Sequence, residues 1–122
     1  MKKIIAVLIL ALTLLASPAL ADFIPSISSG EQAASALIYT VPAKGVKCYL
    51  SAVEVITDGT NNATLIVYDN TAGSGTVLLE ITVTGTDHYG GRSWTFPVRV
   101  DNGIYGAVTG TGASFIIEYI LR

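Results

Sequence analysis

Few side chains in this sequence could carry chemistry. There is one histidine, His88, and one cysteine, Cys48. A Ser-His-Asp relay would have to be built on His88 in Asp87-His88-Tyr89-Gly90-Gly91-Arg92, yet no Gly-x-Ser-x-Gly nucleophile turn occurs. A loop histidine beside an aspartate reads as a solvated turn residue. One His and one Cys cannot build a zinc site without several carboxylates. Asp58, Asn61, Asn62 and Asp69 offer oxygen atoms to a hard cation such as calcium, but the Asp-x-Asp-x-Asp-Gly spacing is absent and turn chemistry accounts for these residues. Gly73-Ser74-Gly75 lacks the Lys-Ser/Thr of a phosphate loop and the helix that would follow. No catalytic residue, metal ligand or cofactor is therefore assigned, and the chain reads as a non-enzyme.

Cys48 lies in the alternating run Val46-Lys47-Cys48-Tyr49-Leu50, where it reads as a small buried hydrophobe. An intermolecular disulfide or a reactive thiol is the alternative. Asn62-Ala63-Thr64 has the form of an N-glycosylation acceptor, which carries no particular meaning behind a bacterial-type leader. Trp94 alternates with core positions and is expected in the core, not as a sugar-stacking platform.

The chain has 122 residues, 51% of them apolar and 13% charged. Much of the apolar excess is in one place. Met1-Lys2-Lys3 is a basic start, Ile4 to Leu15 is apolar except for Thr13, and Ala16-Ser17-Pro18-Ala19-Leu20-Ala21 ends in a small-x-small site. This is the build of a secretory signal peptide over residues 1–21, with Ala19 and Ala21 at the cleavage site and Asp22 as the new N-terminus. The run is about half the roughly 20 residues that a bilayer core requires. Without Lys2 and Lys3, five cationic side chains remain against nine acidic ones, a net charge of −4. Five scattered cations argue against nucleic acid or anionic lipid as a partner. An exported product, periplasmic, extracellular or at the cell surface, is expected, with no membrane insertion after processing.

The elements that must position any site are strands. Twelve glycines and twelve threonines fall after residue 21, among β-branched and aromatic residues. Strands are predicted at Ala36–Val41, Val46–Thr57, Ala63–Tyr68, Thr76–Thr84, Arg92–Val100, Ile104–Thr109 and Ala113–Leu121, separated by Gly, Asn and Asp turns. In Thr76–Thr84, residues Val77, Leu79, Ile81 and Val83 should face the core, with Leu78 the exception on the polar side. Pro97 has no N–H to donate, which predicts an edge strand or a bulge. The fold class is all-β: an antiparallel β-sandwich of seven to eight strands over residues 36–122, jelly-roll-like, because a single cysteine removes the immunoglobulin pattern.

Residues 22–35 have no sustained period and read as an extended N-terminal arm or a short edge strand. The last strand is apolar on both faces, since Ile116 and Ile120 oppose Phe115, Ile117, Tyr119 and Leu121. Residues that alternation sends outward are Tyr49, Ile66, Tyr68, Tyr105, Ile116 and Ile120, and outward aromatic and apolar side chains mark a candidate interface.

The stretch from about Ser51 to Ile120 carries Ser51-Ala52-Val53-Glu54-Val55-Ile56-Thr57-Asp58-Gly59-Thr60-Asn61-Asn62-Ala63-Thr64. Further on come Val67-Tyr68-Asp69-Asn70-Thr71-Ala72-Gly73-Ser74-Gly75-Thr76, Asn102-Gly103-Ile104-Tyr105 and Thr109-Gly110-Thr111-Gly112-Ala113. These turn signatures resemble small β-sandwich structural proteins of tailed phages and prophages. The resemblance implies a virion-associated role of the head-decoration or fibre kind and carries over no functional residue. Such proteins assemble without a leader, so the leader here points instead to a similar sandwich that is exported.

The expected function is a non-enzymatic exported subunit that associates with itself, as a homo-oligomer or filament, into an extracellular, cell-surface or virion-like assembly, or decorates one. The alternative is a monomeric module that binds carbohydrate or a cell-surface receptor.

Overall fold

The computed structural model describes residues 25–122, so the leader and its cleavage site at Ala19, Ala21 and Asp22 lie outside the described residues. Among the described residues eight strands form: β1 (Ile27–Ser28), β2 (Ala36–Thr40), β3 (Cys48–Ile56), β4 (Ala63–Asp69), β5 (Thr76–Val83), β6 (Tyr89–Val100), β7 (Gly103–Thr109) and β8 (Ser114–Leu121). They build two four-stranded sheets, ordered β1-β8-β3-β6 and β2-β7-β4-β5, and every pairing is antiparallel. The expected antiparallel β-sandwich is the observed fold. Only the β4–β5 connection joins neighbours within one sheet; the other connections cross between sheets.

The two inner faces share one apolar core. Phe115, Leu50, Leu65, Ile104, Ile117, Val55, Val67, Val100 and Cys48 are all fully buried there, and a large side chain buried in this way contributes roughly 1.5–3 kcal/mol. Gly106 of β7 lies directly beneath Phe115: a Cβ at that position would stand 2.5 Å from the ring. The two sheets therefore approach closely only because residue 106 has no side chain.

Bulges set which side chains reach this core. On β3, Leu50 faces Tyr119 and Ala52 faces Glu118, so Ser51 is an extra residue. Its Oγ is buried without a hydrogen-bond partner. The inserted residue switches the pleat, which is why Cys48 and Leu50 before it and Val53 and Val55 after it all point inward. On β6, Val98 and Ser93 oppose Leu50 and Ala52, so residues 94–97 form a wide bulge, with Pro97 inside it on an edge strand as its missing N–H predicts.

A third bulge corrects an expectation. On β5, Val67 faces Leu79 but Tyr68 faces Val77, which makes Leu78 the extra residue. Leu78 packs against the core, while Val77, expected inside, is turned out and is 50% exposed. In the N-terminal segment the edge-strand form is the one observed. Ile27 and Ser28 pair with Tyr119 and Glu118 of the chain's own β8, the Ser29 N–H donates to the Ile117 carbonyl, and Gln32 exchanges both backbone bonds with Phe115. The loop expected over Gly85–Gly91 is shorter than predicted, because β6 begins at Tyr89.

Candidate interaction surfaces

Of the groups that could react, the Cys48 thiol and the Asp58 and Asp69 carboxylates serve the fold. Cys48 is fully buried, and burial, reinforced by the negative charge of Asp69 and partly offset by a backbone hydrogen bond at Tyr49, pushes its thiol up to about 11. A thiol held protonated and out of solvent is neither a nucleophile nor a cross-linking site. His88 adopts φ 60 and ψ −42, an uncommon backbone conformation for a side-chain-bearing residue. Its carbonyl accepts the Thr57 N–H at 2.7 Å, and its ring lies over Gly59. No side-chain hydrogen bond engages the imidazole among the described residues.

The oxygen-rich loops are turns. Asp58 Oδ1 accepts the backbone N–H groups of Thr60 and Asn61 at 2.8 and 2.7 Å, and its Oδ2 accepts the Asn61 side-chain amide at 2.7 Å. These bonds, led by that from the Asn61 backbone, hold the carboxyl below the usual range. Asp69, at the end of β4, accepts from the backbone N–H groups of Asp101, Asn102 and Gly103 at 2.7–3.3 Å and so ties down the β6–β7 turn. Among the described residues, no group of three or more His, Cys, Asp and Glu is placed to hold a metal ion. Trp94 packs against the core, with the Arg92 guanidinium 5.6 Å from its ring centroid.

What remains is surface. The six residues that alternation sent outward do lie on outer faces, half-buried, but on two opposite ones. Tyr49, Ile116 and Ile120 belong to the β1-β8-β3-β6 sheet, and Ile66, Tyr68 and Tyr105 to the β2-β7-β4-β5 sheet. They do not form a single patch.

On the second sheet the register assembles a row. Leu37 of β2 faces Tyr105 of β7, Tyr105 faces Tyr68 of β4, and Tyr68 faces Val77 of β5. An apolar and aromatic band thus crosses all four strands, with its ends Leu37 and Val77 46% and 50% exposed. The same face carries a contrasting row toward the other end of its strands. Thr109, Thr64 and Thr82 stand side by side, and the hydroxyls of Thr64 and Thr82 are hydrogen-bonded at 2.9 Å. That is the polar chemistry a water-facing sheet ordinarily shows.

On the first sheet, an open groove of about 350 Å³ runs over Ala52 and Ile116 between Glu54, Glu118, Arg92, Ser93 and Tyr89. Tyr89 stands 67% exposed. Farther along the same face the Arg122 guanidinium sits 5.5 Å from the Tyr49 ring centroid.

Alternation alone misses Leu37, Val77 and Tyr89. The β2 register shifts between Leu37 and Tyr39 and the β5 register shifts at Leu78, so the outward phase of Leu37 and Val77 depends on bulges that have no residue signature. Tyr89 falls in a segment that its two glycines made look like loop. No family model, no curated protein and no solved structure matches this chain.

Proposed function

We propose that this protein is a non-enzymatic, exported structural subunit that associates with itself into an extracellular, cell-surface or virion-like assembly, or decorates one. Its eight-strand order is read as a jelly-roll, built from inter-sheet crossings and a single hairpin. The observation that carries the proposal is the Leu37–Tyr105–Tyr68–Val77 row, because the threonine row on the same face supplies the internal contrast. A solvated face would be threonine-like throughout, whereas tyrosine with aliphatic neighbours is the composition of interface cores. Light scattering coupled to size exclusion on the full chain tests the proposal. A defined oligomer or a concentration-dependent polymer is expected, and a monodisperse monomer at high concentration overturns it.

A second reading, a monomeric carbohydrate-binding module, is favoured by the groove beside Tyr89. An exposed ring next to Ser93, Glu54 and Glu118 offers a stacking surface with hydrogen-bonding groups. Glycan binding by a monomer that is lost in Tyr89→Ala would establish this reading in place of the first.

A further inference from the structure

The four sheet edges are not equivalent. β1 is two residues long. β2 has five residues, an internal bulge, and Pro42 shortly after its end. β6 is long but carries Pro97, a four-residue bulge and the cations Arg92 and Arg99. Short strands, prolines, bulges and charges are the usual devices that stop one sheet edge from pairing with another. β5 lacks the first two and confines the others to the Leu78 bulge near its start and the single charge of Glu80. Its eight residues, Thr-Val-Leu-Leu-Glu-Ile-Thr-Val, include no Pro, Gly, Lys or Arg. It is last in its sheet and bonds in unbroken register to β4 from Val83 back to Leu79. Among the described residues, no backbone hydrogen bond reaches Leu79–Val83 from outside that ladder.

We propose that the Leu79–Val83 edge is a self-association contact, pairing antiparallel with the same segment of a second copy and joining two sheets into one continuous sheet of eight strands. This rests on the self-association reading and adds an edge contact separate from the outer-face Leu37–Tyr105–Tyr68–Val77 row, which in-plane pairing leaves uncovered. The register follows from the bulge. Leu78 breaks the pleat, so a pairing that keeps inward residues opposite inward ones is confined to residues 79–83. Centring it on Glu80 would set two carboxylates opposite each other. Centring it on Ile81 places Leu79 opposite Val83 and Glu80 opposite Thr82 of the second copy, using all five residues. The partner is a second copy because the segment is self-complementary in this register and carries one charge, which the two-fold keeps away from its own image.

Glu80 and Thr82 are exposed, so both can be exchanged without touching the core. The variant Glu80→Lys/Thr82→Lys sets cation against cation across the two-fold, while Thr82→Glu sets carboxylate against carboxylate. Sedimentation velocity on the full-length proteins, with circular dichroism to verify the fold, should show dissociation constants at least about tenfold weaker for each variant alone. Mixing the two variants should restore association, because every opposed pair then carries opposite charges. If both variants assemble as the unsubstituted chain does, self-association stands but this edge is wrong. If each is weakened and the mixture stays dissociated, the Ile81-centred register is refuted. A chain that is monomeric before any substitution removes this inference together with the reading beneath it.

Discussion

Cys48 provides a quantitative test of how dry the interior is. Its thiol titrates at 9.0 when unperturbed and at about 11 in the folded chain. Between those values the unfolded chain has released the proton that the folded chain still holds, so raising the pH draws the protein toward unfolding. The stabilisation is whole below about pH 9 and disappears as the pH climbs to about 11. Two pH units at roughly 1.4 kcal/mol each set a ceiling near 3 kcal/mol, and about 2 kcal/mol should be gone by about pH 10.5. Cys48→Ala lacks the titrating group. Its own packing loss is a constant offset, and Tyr119, raised mainly by burial and in part by Cys48, titrates in both proteins. Urea unfolding of both, with a reductant present, at about pH 8 and about pH 10.5 reads the thiol, together with its coupling to Tyr119, as the change in their difference. The stability advantage of the native protein over Cys48→Ala should shrink by roughly 2 kcal/mol. A difference constant to within about 0.5 kcal/mol would refute the claim that the thiol is desolvated in the sandwich core.

Two further substitutions probe the fold directly. Gly106→Ala drives a methyl to 2.5 Å from the Phe115 ring and should destabilise by roughly 1–3 kcal/mol in denaturant titration, with Phe115→Leu recovering part of the loss when combined with it. Additive losses would mean that the two positions do not touch. His88→Gly removes a side chain from a φ of 60 and should leave the unfolding free energy unchanged or raise it by up to about 1 kcal/mol, the strain relieved outweighing the contact with Gly59. A loss above about 1 kcal/mol would show that the imidazole holds the Asp58–Asn61 turn in place.

The fold class and most strand positions were legible because period-2 alternation is a direct image of a half-buried sheet. β4, β7 and β8 fall within a residue or so of where alternation puts them. Pro97 also announced its own position, since a residue without an N–H has few places in a sheet. The bulges had no such signal. Ser51, Leu78 and Ile38 are ordinary strand residues, and what makes them extra is the length of the partner strand, which is a tertiary quantity. That is why alternation places Val77 in the core and gives no outward signal at Leu37. The outward phase of Tyr68 and Tyr105 was readable, but their adjacency was not. It required knowing that β7 lies between β2 and β4, an order the chain reaches only through crossings between sheets.

Those crossings bear on folding kinetics. With one hairpin within a sheet, at β4–β5, nearly every pairing must wait for distant segments to meet, and high contact order slows folding. β8 lies between β1 and β3 and completes that sheet. Until residues 114–121 are available, β3 has no partner on that side and β1 has none at all. Closure of the sandwich therefore waits on β8, because no earlier strand can stand in for it between β1 and β3.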